Sequence, residues 1–409
     1  MKRPLRIDSG RLWQSIMEHG RIGATPEGGL NREALTDADK AGRDLFALWC
    51  RDAGMEVTVD DLGDMYATLP GTEPGRLAIA TGSHLDTQRT GGRFDGVLGV
   101  LAGLEVARTL RDAGIAMRHP LTVVNWTAEE GGRFKPSMAA SGVYAGIFQK
   151  SDAAKWADRE GIGFLAALEA IGYRGTEPVG RQRFRALLEL HIEQGPVLER
   201  EGKQIGVVTH AQAMSFSNVT IHGRPSHAGT TPMEDRLDPM SAFVRIAASC
   251  EALARAIPDS RFTVGAIHAD PGSHSVIPKQ VSFTLDLRHP LQRELRRLVD
   301  GFESAAHAEG QRGYTVTRTE FGASPELPFA PECVAAVRQA ALSCGYGAMD
   351  IVSGAGHDAV YVARVCPTGM IFVPCRGGVS HNPAESITQE QAAAGANVLL
   401  QAILALDNN

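Results

Sequence analysis

The chain has 409 residues, more than one ordinary hydrophobic core absorbs, so two domains are expected. With 43% hydrophobic and 22% charged residues it is composed like a folded protein, which excludes a mainly disordered or collagen-like chain. Acidic residues (47) outnumber basic ones (41), giving a net charge of −6, so no global positive field draws nucleic acid or an anionic membrane, and neither is expected as a partner.

The opening Met1-Lys2-Arg3 runs into Asp8, Arg11, Gln14 and Glu18 without the apolar stretch of a signal peptide, so no secretion signal is expected. No later run approaches the roughly 20 apolar residues of a membrane span, which reads as a soluble protein. The six cysteines (Cys50, Cys250, Cys333, Cys344, Cys366, Cys375) are scattered with no C-x-x-C pair. That argues against a disulfide framework or a cysteine zinc site and fits a reducing cytoplasm.

The first half alternates short apolar runs with helical patterns, as expected for an α/β fold with a mostly parallel sheet flanked by helices. Arg76 to Gly82 reads as a buried strand. Asp95 to Gly114 follows, with Val97, Val100, Leu101, Leu104 and Leu110 at helical spacing and a closing glycine. Pro120 to Trp126 and Arg185 to Ile192 read as further strands. Ionisable residues come directly after each, where ligands bind in open α/β sheets. From about Ala213 the texture changes to alternating strands (Ser217 to His222, Val281 to Leu287) flanking a helix, Pro239 to Ala256, as in a smaller α+β insert. The α/β texture returns near Glu326, with a helix at Cys333 to Cys344 and a strand at Met370 to Pro374. The expected organisation is a split first domain, residues 1–212 and 329–409, interrupted by an insert at 213–328.

Five places put metal-ligand residue types at a strand end: His84 and Asp86 in GSHLDT, Asp95 in GGRFDG, Glu129-Glu130 in TAEEGG, His191 in ELHIEQG and His381 in VSHNPAE. Each alone is an ordinary surface or hydrogen-bonded motif in a chain with 13 histidines; the set is not. Imidazole with carboxylate and no thiolate suits zinc, manganese, cobalt or nickel in a hydrolytic site. One shared carboxylate and two further ligands per ion would make a two-metal centre. Asp86, two residues after His84 in an extended segment, is placed to orient that imidazole rather than to bind metal. Adjacent Glu129 and Glu130 point apart, so one can ligate while the other moves protons.

With these residues in view, the sequence resembles the amidase, hydantoinase and carbamoylase branch of the M20 dinuclear metallopeptidase family. That branch includes N-carbamoyl-L-amino acid hydrolases, β-ureidopropionases and allantoate amidohydrolases. The resemblance covers nearly the whole chain, from IDSGRLWQSI and ALTDADKAGRDLF through GSHLDTQRTGGRFDGVLGVLAGLE, NWTAEEGGRFKPSMAASGVYAG, LELHIEQGPVLE, GRPSHAGTTPMEDRLDP and SGAGHDA to SHNPAE. It implies a zinc-exopeptidase-like catalytic domain with an inserted domain that dimerises and acts as a lid. It implies two divalent metal ions per subunit, zinc first and manganese, cobalt or nickel as alternatives. Asp95 would bridge them, His84 and His191 completing one site and Glu130 and His381 the other, with Glu129 as general base. Histidine in ELHIEQG, where peptidase members commonly carry an acidic ligand, favours the ureido-cleaving branch.

By the same resemblance His227 reaches the active site from the insert and stabilises the oxyanion, and Arg288 grips the substrate carboxylate, a task its fork geometry suits. The amide of Gln194 can both donate and accept, which suits a ureido group. His357 and Asp358 in SGAGHDA either line the pocket or shape their glycine-rich loop. Carbamoylases usually carry Asn before V-I-P; this chain has Ser275 there, beside His274, which leaves the substrate's identity open. The expected enzyme is a homodimeric hydrolase of carbon–nitrogen bonds other than peptide bonds. It would act on N-carbamoyl-L-amino acids or N-carbamoyl-β-alanine, small molecules with a carboxylate and a ureido group. DTQRTGGRFDG resembles those enzymes more than allantoate amidohydrolases, where valine is usual at Gln88, so allantoate ranks second and N-acyl or dipeptide amides third. A metal-binding scaffold without catalysis is the rival from another class; the presence of Glu129 and all five ligands speaks against it.

Overall fold

The computed structural model describes residues 4–408, which divide into two compact units. One comprises the described residues up to Thr209 together with those from Phe329 onward; the other is His210–Pro328.

The first unit begins with α1 (Ser9–His19) and α2 (Asp37–Asp52), whose first turns are capped by Asp8 and Thr36 side chains accepting backbone N–H groups. There follow β1 (Glu56–Val59), β2 (Met65–Leu69), β3 (Ala78–His84), α3 (Val97–Asp112), β4 (Leu121–Trp126), α4 (Ala139–Tyr144), α5 (Phe164–Ala170), β5 (Phe184–Ile192), α6 (Val197–Arg200) and β6 (Ile205–Ala211). The second unit contains β7 (Ala213–His222), β8 (Ser226–His227), α7 (Pro239–Ala256), β9 (Arg261–Thr263), β10 (Ile267–Asp270), β11 (Val276–Ile277), β12 (Gln280–His289), α8 (Gln292–Gly310), β13 (Thr315–Ser324) and β14 (Leu327–Pro328). The first unit resumes with α9 (Pro331–Cys344), β15 (Ala348–Ser353), α10 (Asp358–Val362), β16 (Thr368–Val373) and α11 (Gln389–Asp407).

The centre of the first unit's sheet is the parallel set β4-β3-β5-β16. These strands are buried almost throughout, because helices cover both faces, and their sequences are accordingly near-continuous apolar runs. The sheet is mixed rather than mostly parallel. β2 is antiparallel to β4, β1 to β2, and β6 to β16. The five residues between β1 and β2 allow a hairpin but not the dozen-residue crossover that a parallel pair needs. The chain passes from β3 through α3 to β4 on one side of β3, while β5 lies on the other. The crevice where strand order reverses therefore opens at the carboxyl ends of β3 and β5, which are His84 and Ile192.

A buried ion pair braces this end of the sheet. Arg43 of α2, wholly buried, donates from Nε to Asp39 Oδ2 (2.9 Å) and from its terminal nitrogens to the Gly63 carbonyl (2.8 Å) and Thr127 Oγ1 (3.2 Å). Asp39 also accepts the Leu35 N–H, at 2.8 Å. Arg43→Ala leaves that carboxylate buried and unpaired and is expected to cost about 3–5 kcal/mol in chemical denaturation. An unchanged denaturation midpoint would contradict this.

In the second unit β10-β12-β7-β13 form an antiparallel sheet, with β9 also paired to β12. Burial along β12 alternates strictly: Val281, Phe283, Leu285 and Leu287 are buried, the last three packing with Ile246 of α7 and Leu295, Leu298 and Phe302 of α8, while Ser282, Thr284, Asp286 and Arg288 lie on the other face. β13 is paired on one side only among the described residues.

Candidate metal centre

His84, at the end of β3, points Nε2 at Asp95 Oδ1 (3.5 Å) and Glu129 Oε2 (3.7 Å). His191, at the end of β5, brings its own Nε2 to 3.2 Å from the same Asp95 oxygen. The other Asp95 oxygen lies 3.3 Å from His381 Nε2, which is in turn 3.3 Å from Glu130 Oε2. Two donor groups result, His84–Asp95–His191 and Asp95–Glu130–His381, sharing Asp95. Glu129 and Glu130 follow β4, Asp95 stands two residues before α3, and His381 sits in the loop before α11 with a left-handed backbone, φ 53°. Gly96, φ 67°, must be glycine: a Cβ there would fall 2.4–2.5 Å from the His84 ring.

The two buried imidazoles are oriented by main-chain carbonyls. His84 Nδ1 bonds the Asp86 carbonyl (2.9 Å) and His191 Nδ1 the Ile192 carbonyl (2.9 Å), so each ring in its neutral form donates there and keeps an Nε2 lone pair. Gly96 N–H donates to His191 Nε2 at 3.2 Å, consistent with that tautomer. Lone pairs of imidazole and carboxylate then face each other across 3.2–3.5 Å, an arrangement that needs a positive charge between them. The donor set of neutral imidazole and carboxylate fits divalent zinc and its first-row neighbours.

Electrostatics point the same way. Burial raises the Glu129 carboxyl well above the ordinary range, with Asp358, Glu130 and Asp86 adding to it against the pull of His84. Burial and the Asp95 charge push Glu130 up to about 7. Burial would also raise Asp95, but where the imidazoles carry a proton on Nε2 as well, their hydrogen bonds outweigh it and hold that carboxyl well below its usual value. The hydrogen bond to Asp95 raises His381 to about 9.

The position of Asp86 corrects the expectation from spacing. It does orient His84, but through its main-chain carbonyl; its carboxylate is 3.9 Å from Nδ1 and instead accepts the backbone N–H groups of Glu129 and Glu130, at 3.3 Å each. Gln194, φ 57°, donates its amide to Asp95 Oδ2 (2.7 Å) and Ser380 Oγ (3.1 Å), leaving its buried Oε1 without a hydrogen-bond partner. His357 is buried with its ring 4.5 Å from that of His191. Glu189, His191 and His357 form a third group of donors, but both Glu189 oxygens are engaged, by Ser83 Oγ–H (2.6 Å) and Ala359 N–H (3.0 Å).

His227, Ser275 and Arg288 lie in the second unit. His227 pairs with Val276, and its Nδ1 accepts the N–H groups of Gly229 (2.9 Å) and Thr230 (3.2 Å). The Ser275 carbonyl accepts the Ala228 N–H, at 3.0 Å. Arg288 is paired along its own strand with Asp286 (2.8–3.2 Å) and covers the Phe216 ring.

No motif singles out three residues of the site, and Gln88 enters the sequence reading only through substrate choice. Gln88 holds Glu130 through its backbone N–H to Oε1 (3.0 Å) and its amide to Oε2 (2.8 Å), while Glu189, Ser380 and Glu385 sit behind the imidazoles and Asp95. Glu189 carried a visible signal: it is a charge in the apolar run LLELHI, two residues before His191 and so on the same face.

Imidazoles and carboxylates gathered beyond the ends of parallel strands define the site of a metallohydrolase. The family model for peptidase family M20/M25/M40 matches residues 80–405, and the chain belongs to that family. It is 47% identical over 405 residues to an N-carbamoyl-L-amino-acid amidohydrolase of Rhizobium meliloti, covering 98% of this chain and 96% of that one. It is 35% identical to the allantoate amidohydrolase of Bacillus subtilis, covering 93% of each. Among solved structures, an amidase of the hydantoinase/carbamoylase family from Burkholderia multivorans superimposes with a TM-score of 0.94, at 46% identity and 99% coverage of both chains. The protein is thus an enzyme, a hydrolase of carbon–nitrogen bonds other than peptide bonds.

Proposed function

We propose that the protein hydrolyses the carbamoyl group of N-carbamoyl-L-amino acids, N-carbamoyl-β-alanine or both, releasing the amino acid, ammonia and carbon dioxide. The observation that carries this reading is the convergence of His84, Asp95, Glu129, Glu130, His191 and His381, all but His381 buried, on one site. The names of its relatives supply the substrate class.

His84 and His191 with Asp95, and Glu130 and His381 with the same Asp95, would hold two divalent ions, zinc first. When bound, these would polarise the ureido carbonyl and make water acidic enough to attack at neutral pH. The residues do the rest. Glu129, anchored by its N–H on Asp86, takes a proton from the attacking water and returns it to the departing nitrogen. His227 is suited to the oxyanion because two backbone N–H groups occupy Nδ1, so the neutral ring carries its proton on Nε2. Gln194 Oε1 offers an acceptor to a ureido N–H. Arg288 takes the substrate carboxylate, with Asp286 holding its fork; Ser275 and His357 line the pocket. The enzyme acts as a homodimer through the second unit, with the one-sided edge strand β13 supporting such pairing, and the unit moves as a lid. Full activity in a strictly monomeric protein would contradict this. Six unpaired, buried cysteines support a cytoplasmic setting, and no helix of the described residues is long and apolar enough to cross a membrane.

Gln88, where allantoate amidohydrolases usually carry valine, keeps allantoate as the second substrate and N-acyl or dipeptide amides as the third, while Ser275, shorter than the usual Asn, leaves the substrate's identity open. The test is ammonia release from N-carbamoyl-β-alanine, several N-carbamoyl-L-amino acids and allantoate after chelation and re-addition of zinc, manganese or cobalt. Turnover of a carbamoyl amino acid restored by metal is expected; inactivity on all carbamoyl substrates with two metals bound would overturn the ureido assignment.

A further inference from the structure

Glu385 is almost fully buried, and among the described residues no lysine or arginine forms an ion pair with it. Its Oε1 accepts the backbone N–H groups of Phe94 (2.9 Å) and Asp95 (3.1 Å), and its Oε2 accepts the Ser380 hydroxyl (3.0 Å). Ser380 Oγ is also 2.9 Å from Asp95 Oδ2, so its single proton is placed between the two carboxylates. The Glu385 N–H closes a turn onto the Asn382 carbonyl (3.0 Å), directly after His381 and its left-handed backbone. Gly92 leaves the space that this carboxylate fills: a Cβ there would lie 2.1 Å from its carbon. One side chain thus clasps the segment bearing Asp95 to the turn that follows His381, across some 290 residues of chain.

We propose that Glu385, acting through Ser380, is a positioning residue that sets the separation of Asp95 and His381 and thereby the affinity of the Asp95–Glu130–His381 group for its metal ion. The proposal rests on the reading of that group as a metal site. The physical reason is that His381 is the one imidazole of the cluster with an exposed side chain, half of it open to solvent, whereas His84 and His191 are buried and tied to main-chain carbonyls. Its backbone, rather than packing around its ring, must fix its position, and residues behind metal ligands typically alter affinity by about 10–100-fold.

The test is a cobalt titration of the metal-depleted protein, followed by visible absorbance and equilibrium dialysis, alongside thermal unfolding. In Glu385→Gln the amide end no longer accepts the Ser380 hydroxyl, and the second equivalent of metal is expected to bind about tenfold or more weakly while the first is unchanged. Ser380→Ala breaks the same link with Glu385 in place, so it carries the test even where the Gln variant fails to fold, and should reproduce the loss. Ser380→Thr keeps the hydroxyl and should restore binding. If wild type binds two equivalents and the folded variants match it, the clasp has no such role and the proposal falls alone. If wild type binds no metal, the reading of the site falls and takes the proposal with it.

Discussion

Glu129→Gln is expected to leave fold and metal content intact while turnover falls on the order of 10³-fold. The substitution is nearly isosteric, and the backbone at this position is held independently of the side chain: Glu129 N–H donates to Asp86, and its carbonyl accepts the Met138 N–H at 2.6 Å. What the amide lacks is the capacity to take and return a proton. Glu129 is the buried carboxylate nearest His84 Nε2 that belongs to neither of the two donor groups sharing Asp95, which leaves it available for that work. Steady-state ammonia release, with elemental analysis for metal, decides the matter. Near-normal turnover with two metals bound would remove Glu129 from the role of base.

The second large effect is expected at Asp95. Each of its oxygens faces a different set of imidazoles, Oδ1 toward His84 and His191 and Oδ2 toward His381. Asp95→Ala therefore removes a ligand from both groups at once, and both equivalents of metal should be lost together with all measurable turnover. By contrast, Glu130→Ala and His381→Ala touch one group only and should leave the first equivalent bound. Retention of both metals in the Asp95 variant would show that the two groups are not coupled through this carboxylate. Circular dichroism controls for the fold, since Asp95 is buried ahead of α3 and accepts hydrogen bonds from Gln194 and Ser380.

How much of this is legible in the chain differs by level. The strand positions are, because β3, β4, β5 and β16 are apolar runs bounded by polar turns, and structure shifts their ends by only one or two residues. The helical start at Asp95 moves to Val97, since Gly96 adopts a left-handed conformation that helix periodicity does not reveal. The direction of the outer strands is not legible either, because periodicity reports burial and not the sense of pairing.

The sequence by itself determined the chemical inventory: which imidazoles and carboxylates stand at strand ends, and the long ordered motifs that tie this chain to its family. Strand ends are local features, and residues that close a strand must cluster wherever parallel strands align. Tertiary structure alone decided how those groups are held. That Asp86 steers His84 with its carbonyl and the Glu129–Glu130 pair with its carboxylate depends on distances between β3 and the loop after β4. That Glu385 meets Phe94 and Asp95 depends on a contact between segments 290 residues apart. Hydrogen bonds act over about 3 Å, and only the folded chain brings such distant atoms within that reach.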